Sequence, residues 1–263
     1  MMDNASSAPG LLKDRVILVT GAGQGLGRSA ALIFARHGAS VILLGRTVGK
    51  LEQVYDEIMA AGGPMPAIFP MDLAIATDAA FESLAQAIGY QFGRLDGICH
   101  CAADFDALSP LKQEDLSEWV SLFRANAAAP AAINRALEPY LEKAQDASVI
   151  LVGETHGHEP KAYWGGFAVS KAALEAYFKI QADEWSDAPQ RINLLIPGPV
   201  HSPQRAKTHP GEDKTVLPTC DDLASTCLHL MGPDSLEVRG QIIAPAAKPR
   251  PIGKMGAKAV TLF

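Results

Sequence analysis

One glycine-rich stretch, Thr20-Gly21-Ala22-Gly23-Gln24-Gly25-Leu26-Gly27-Arg28, constrains this chain more than any other feature. It follows the apolar run Val16-Ile17-Leu18-Val19 and leads at once into a helical pattern. In that setting glycines let the chain turn sharply and let a phosphate anion approach bare backbone at a helix N-terminus. The helix dipole and its free N–H groups then stabilise the anion. The spacing is T-G-x-x-x-G-x-G, because Leu26 stands where the commoner G-x-G-x-x-G has its third glycine. Gly21, Gln24, Gly25, Leu26 and Gly27 are therefore candidate ligand-binding residues.

The remainder of the chain repeats the strand-then-helix pattern. Strands are predicted at 16–20, 40–45, 67–71, 97–101, 148–152, 192–196 and 241–244, each continuously apolar, as strands covered on both faces should be. Helices are predicted at 25–37, 48–61, 77–92, 116–144, 167–185 and 221–231. Such alternation implies a parallel sheet of about seven strands with helices on both faces. No linker or repeat divides it, so the pattern predicts one α/β domain over 11–245, preceded by a flexible tail (1–10) and followed by a basic one (246–263). The stretch 197–218, rich in Pro, His and Lys, reads as a long loop.

Composition narrows function. The 263 residues carry a net charge of −6, which argues against nucleic-acid binding. Lys248, Arg250, Lys254 and Lys258 give the last twenty residues +4 and leave −10 on the body. No apolar run approaches a membrane span, and the first ten residues lack the basic and apolar regions of a secretory leader. Cys99, Cys101, Cys220 and Cys227 are too sparse for a disulfide framework and are expected as small buried hydrophobes. Together these predict a cytoplasmic protein.

The second predicted strand ends Leu44-Gly45-Arg46-Thr47. An NAD-specific site would place a carboxylate there for the ribose hydroxyls. Here Arg46 offers a guanidinium to a 2′-phosphate, which favours NADP(H) over NAD(H).

With these residues the chain resembles the short-chain dehydrogenase/reductase family, a single-domain Rossmann fold with a doubly wound parallel sheet. The resemblance covers about residues 12 to 245. Thr20–Gly27 is similar to that family's cofactor turn, and Asp72, followed by Leu73, to its adenine-contacting Asp. Asn126 matches the Asn that holds a proton-relay water, Lys171 the motif Lys that bonds the nicotinamide ribose, and Pro197-Gly198 the turn beside the nicotinamide. Ala102, in the counterpart of the family's N-N-A-G, and Val200 complete the implied cofactor set. The resemblance implies a homodimer or homotetramer and a small alcohol or carbonyl substrate.

Two departures weigh more than the matches. The family's Y-x-x-x-K reads Phe167-x-x-x-Lys171, and Phe has no proton to give. The family's Ser, thirteen residues earlier, is replaced by Glu154, whose carboxylate repels an oxyanion. Losing the acid reduces rate by roughly 10²–10⁴, and losing the oxyanion donor by roughly another 10²–10³. Thr155, Tyr163 and His156 are the candidate substitutes, Tyr163 only if the helix after it begins early. Glu154, His156 and His158 have the ligand types of a metal site but not a common zinc spacing, and no metal is expected. The reading is a dinucleotide-binding oxidoreductase homologue with impaired or altered catalysis. The alternative is an active NADPH-dependent carbonyl reductase with a relocated acid.

Overall fold

The computed structural model describes residues 10–245. The expected N-terminal tail, Gly10 apart, and the basic C-terminal tail lie outside the described residues.

The first half runs β1 (Val16–Thr20), α1 (Gly25–Arg36), β2 (Ser40–Gly45), α2 (Val48–Ala60), β3 (Ala67–Pro70), α3 (Asp78–Gln91) and β4 (Gly97–His100). The second half runs α4 (Leu116–Phe123), a π-helical turn (Arg124–Ala128), α5 (Ala129–Leu141), β5 (Ser148–Val152), α6 (Thr155–His158), α7 (Gly165–Glu184), β6 (Arg191–Leu195), α8 (Pro203–Thr208), α9 (Cys220–Met231) and β7 (Ile242–Ile243). The seven strands form one parallel sheet in the order β3-β2-β1-β4-β5-β6-β7.

Period-two alternation splits each central strand between two cores. Val16 and Leu18 of β1 face Leu84 of α3, Ile133 of α5 and Phe178 of α7. Ile17 and Val19 face Phe34 of α1, Leu51 of α2 and Leu228 of α9. Both sheet faces are thus dry, which is why the strands read as unbroken apolar runs. β1 pairs with β2 on one side and β4 on the other, so the chain direction across the sheet reverses there. The crevice above the C-terminal ends of β1 and β4 is where such sheets bind ligands.

Arg191 locks the far side. It is 1% exposed and donates to the carbonyls of Asp146 (3.1 Å), Leu230 (3.2 Å) and Gly232 (2.9 Å) and to Ser235 Oγ (3.2 Å).

The structure corrects four expectations. The helix predicted over 116–144 is broken by the π turn, in which the Ala129 N–H donates to the carbonyl of Arg124. Pro130, four residues after Asn126, has no N–H to return to the Asn126 carbonyl, so an α-helical ladder cannot continue there. The loop 197–218 contains α8 and a short 3₁₀ turn at Lys214–Val216. Cys101 and Cys220 are only partly buried. The helix after Tyr163 begins at Gly165, so Tyr163 lies outside it, at φ +73°.

Candidate active site

The crevice is a continuous cleft with two ends. At the first, β1 passes through Thr20 into the glycine turn, and α1 starts at Gly25 with its N-terminus on the cleft. The first helical turn leaves backbone N–H groups without partners inside the helix, ready for an anion. The turn is packed so tightly that two glycines are obligatory. A Cβ on Gly27 would sit 2.3 Å from the Gly21 carbonyl oxygen. A Cβ on Gly21, itself at φ +67°, would sit 2.8 Å from Ala102 backbone. Thr20 Oγ1 accepts from the Ala102 N–H (3.1 Å), which ties the ends of β1 and β4 together.

Gln24, Gly25, Leu26, Asp72, Leu73 and Ala102 all line the cleft. Arg46, at the end of β2, also lines it, with its side chain 61% exposed and 3.4 Å from Asp104 Oδ1. Lys50, in the first turn of α2, is a second cation here, and its Nζ donates to Gln24 Oε1 at 2.5 Å. Sequence reasoning missed Lys50; a cation in the first turn of the helix predicted over 48–61, just after Arg46, was the available signal. A glycine cradle, a helix N-terminus and two cations at the second strand's end fit the diphosphate and 2′-phosphate of a pyridine dinucleotide.

The other end is framed by β5, α7 and the chain after β6. Lys171 is 4% exposed, and its Nζ donates to the Val152 carbonyl at 2.9 Å. Burial pulls its ammonium from 10.5 down to about 8, against the opposing pull of the nearby Glu154 carboxylate. Pro197, Gly198 and Val200 complete this wall. Glu154, Trp164 and Phe167 line the same end. The Glu154 side chain is 20% exposed, and among the described residues its hydrogen-bond contact is His156 Nδ1 at 3.4 Å. Phe167 is 3% exposed and meets Phe105 edge-on at 5.1 Å between centroids. Trp164 stacks on His156 at 3.8 Å and completes an aromatic cluster of its own.

The remaining candidates stand apart from this wall. Asn126 is fully buried in the π turn and is spent on structure. Its Oδ1 accepts from the Asp104 N–H (2.7 Å), and its Nδ2 donates to the Asp104 carbonyl (2.9 Å) and to Ser170 Oγ (3.0 Å). It thereby pins the segment after β4 to α7. Tyr163 is 60% exposed and does not line the cleft, and neither does Thr155, the first residue of α6. His158 pairs with Glu175 at 2.9 Å rather than with Glu154 or His156.

Sequence reasoning also missed a buried polar chain behind the site. His100 Nε2 meets Asn134 Oδ1 (2.9 Å), Asn134 Nδ2 donates to the Tyr177 hydroxyl (2.8 Å), and that hydroxyl donates to Gln181 (3.0 Å). Burial drives the His100 imidazole down to about 4, so it is neutral at physiological pH.

Comparison with known proteins gives this geometry a family. The short chain dehydrogenase family model matches residues 15–213. The uncharacterized oxidoreductase YciK of Escherichia coli is 37% identical over 241 residues, covering 91% of this chain and 95% of that protein. A short chain dehydrogenase structure from Pseudomonas syringae superposes with a TM-score of 0.89 at 39% identity, covering 93% of this chain and 99% of that one. A Shigella flexneri short chain dehydrogenase complexed with NADP superposes at 0.87 and 37% identity, covering 90% and 99%. An Escherichia coli one complexed with NADPH superposes at 0.87 and 37% identity, covering 90% and 98%. With its sheet order, glycine turn and buried lysine, the chain belongs to the short chain dehydrogenase family of oxidoreductases.

Proposed function

We propose that the chain is an NADP(H)-binding member of this family in which ordinary alcohol–carbonyl chemistry is impaired or altered. The observation that carries the proposal is the company Lys171 keeps: Phe167 and Glu154 line the same cleft, and their spacing from Lys171 is that of the proton donor and oxyanion donor in the family motif. The dinucleotide end, by contrast, is intact. Arg46 and Lys50 at the end of β2, with no carboxylate at position 45, favour the 2′-phosphate form, as do the NADP and NADPH held by two structural relatives.

When bound, the cofactor supplies or accepts hydride. The chain's own residues hold it: the α1 N-terminus at the diphosphate, Arg46 and Lys50 at the 2′-phosphate, Asp72 at the adenine and Lys171 at the nicotinamide ribose. Phe167 gives no proton to a carbonyl oxygen, and Glu154 opposes the charge that develops on it. Assembly as a homodimer or homotetramer belongs to the same proposal. The apolar stripe Leu116, Val120 and Phe123, all exposed on α4, is a surface that a second copy would cover.

A second reading has one observation in its favour. His156 stacks on Trp164 and stands 3.4 Å from Glu154, so an imidazole adjoins the cleft wall. In that reading the chain is an active NADPH-dependent carbonyl reductase with His156, or Thr155 or Tyr163, as acid. NADPH binding followed by its own fluorescence, then oxidation at 340 nm with ketones and aldehydes, separates the two. We expect tight binding, weak turnover and a large gain in the double variant Glu154→Ser/Phe167→Tyr. Rapid wild-type ketone reduction abolished by His156→Ala would establish the second reading instead.

A further inference from the structure

We infer that the substrate end of the cleft takes an iminium cation, and that this protein reduces C=N⁺ rather than C=O. The inference rests on the NADP(H)-dependent reading above and names the substrate class of that same site. It explains both departures by one change of substrate.

A carbonyl begins neutral and becomes an oxyanion as hydride arrives, so its site must supply a proton and a hydrogen-bond donor. An iminium ion begins positive. Its carbon accepts hydride from NADPH, the C=N π pair becomes the nitrogen lone pair, and the product is a neutral amine. The substrate gains two electrons, NADPH becomes NADP⁺, and no proton is transferred. An acid at position 167 then has nothing to protonate, and a neutral hydroxyl at position 154 would leave the substrate's charge unbalanced. The residues present suit the cation. The Glu154 carboxylate is four-fifths buried, lines the cleft and, among the described residues, has the His156 imidazole at 3.4 Å as its side-chain hydrogen-bonding partner, with the Lys171 ammonium nearby. Trp164 and Phe167 line the same end with aromatic rings, which attract cations through their faces.

Three of the other cations on the cleft have partners away from Glu154, Lys50 on Gln24 among them. Arg205 is held by Glu212 through two contacts of 2.6 and 2.9 Å. Arg46 lies against Asp104 at the dinucleotide end. The Lys171 ammonium makes its hydrogen bond to the Val152 carbonyl and shares the field of the Glu154 carboxylate with the substrate. During reduction the positive charge passes from substrate to nicotinamide without leaving the cleft. The carboxylate therefore faces a cation throughout, where an oxyanion would have been repelled.

The test has a binding arm and a turnover arm, both with NADP(H)-saturated protein. N,N-dimethyl-tetrahydroisoquinolinium, a saturated cation that cannot be reduced, is titrated by calorimetry against the neutral α-tetralone. The cation should bind about tenfold or more tighter, and Glu154→Gln should weaken it about 10- to 100-fold at saturating NADPH. In turnover, N-methyl-3,4-dihydroisoquinolinium should be reduced with kcat/KM about 100-fold above that of α-tetralone. Glu154→Ser/Phe167→Tyr should reverse that preference. Equal binding of cation and ketone, or NADPH-loaded protein that leaves the iminium unreduced, overturns the inference and leaves the proposed cofactor reading standing. Failure to bind NADPH at all overturns that reading first and this one with it.

Discussion

Replacing Lys171 by Met tests the electrostatics of the site through stability alone. Burial lowers the Lys171 pKa from 10.5 to about 8, so the folded state binds its proton less readily than the unfolded chain does. That lowering amounts to about 3 kcal/mol of destabilisation at pH 7. Met fills similar volume without charge and removes that penalty. It also leaves the Val152 carbonyl without its donor, which costs about 1–3 kcal/mol. The net expectation at pH 7 is a variant as stable as wild type or more stable by about 2 kcal/mol.

The sign of the pH dependence follows from the same lowering. Below about pH 8 the penalty is full, between about 8 and 10.5 it declines, and above 10.5 it is gone. Wild type should therefore gain on Lys171→Met by about 3 kcal/mol as pH rises through that window. Urea unfolding of both proteins at pH 7, 8, 9 and 10 measures this. Taking the difference removes the titration of all other groups common to the two. Parallel pH curves would refute the reasoning, as would a variant less stable by more than about 2 kcal/mol at pH 7.

Other expectations follow from the same geometry. Arg46→Ala should weaken NADPH binding about tenfold or more and leave NADH binding unchanged; equal losses would show that Arg46 does not read the 2′-phosphate. Gly27→Ala forces a Cβ against the Gly21 carbonyl, so the turn must shift. It should lower stability by about 1–3 kcal/mol and abolish NADPH binding measured by fluorescence. Arg191→Met strips donors from the carbonyls of Asp146, Leu230 and Gly232 and should cost about 2–4 kcal/mol in thermal or urea unfolding, with cofactor affinity unchanged in the protein that remains folded.

The strands and most helices were legible in the sequence because both sheet faces are buried and each helix carries one apolar stripe. Ends shifted by a residue or two, where hydrogen bonding rather than hydrophobicity decides. The π turn was illegible because four of the five residues of Arg124–Ala128 are good helix formers; Pro130, read as a missing donor, was the pointer to it. Gly21, Gly27 and Arg46 were legible because local chemistry dictates them. Lys50 and Cys220 were not, since they reach the cleft through the packing of α2 and α9. The same holds for Tyr163. Spacing alone put it one turn from Phe167, whereas the helix begins two residues after it and its ring faces solvent.

The reversal of strand order at β1 has a consequence for how such a protein changes over time. The glycine turn, Arg46 and Asp72 come from the chain before β4, whereas Glu154 and Phe167 come from the chain after it. Substitution at 154 or 167 leaves the first half's hold on a dinucleotide untouched. A lineage with this architecture can keep its source of reducing equivalents fixed while it tries new electron acceptors, two side chains at a time.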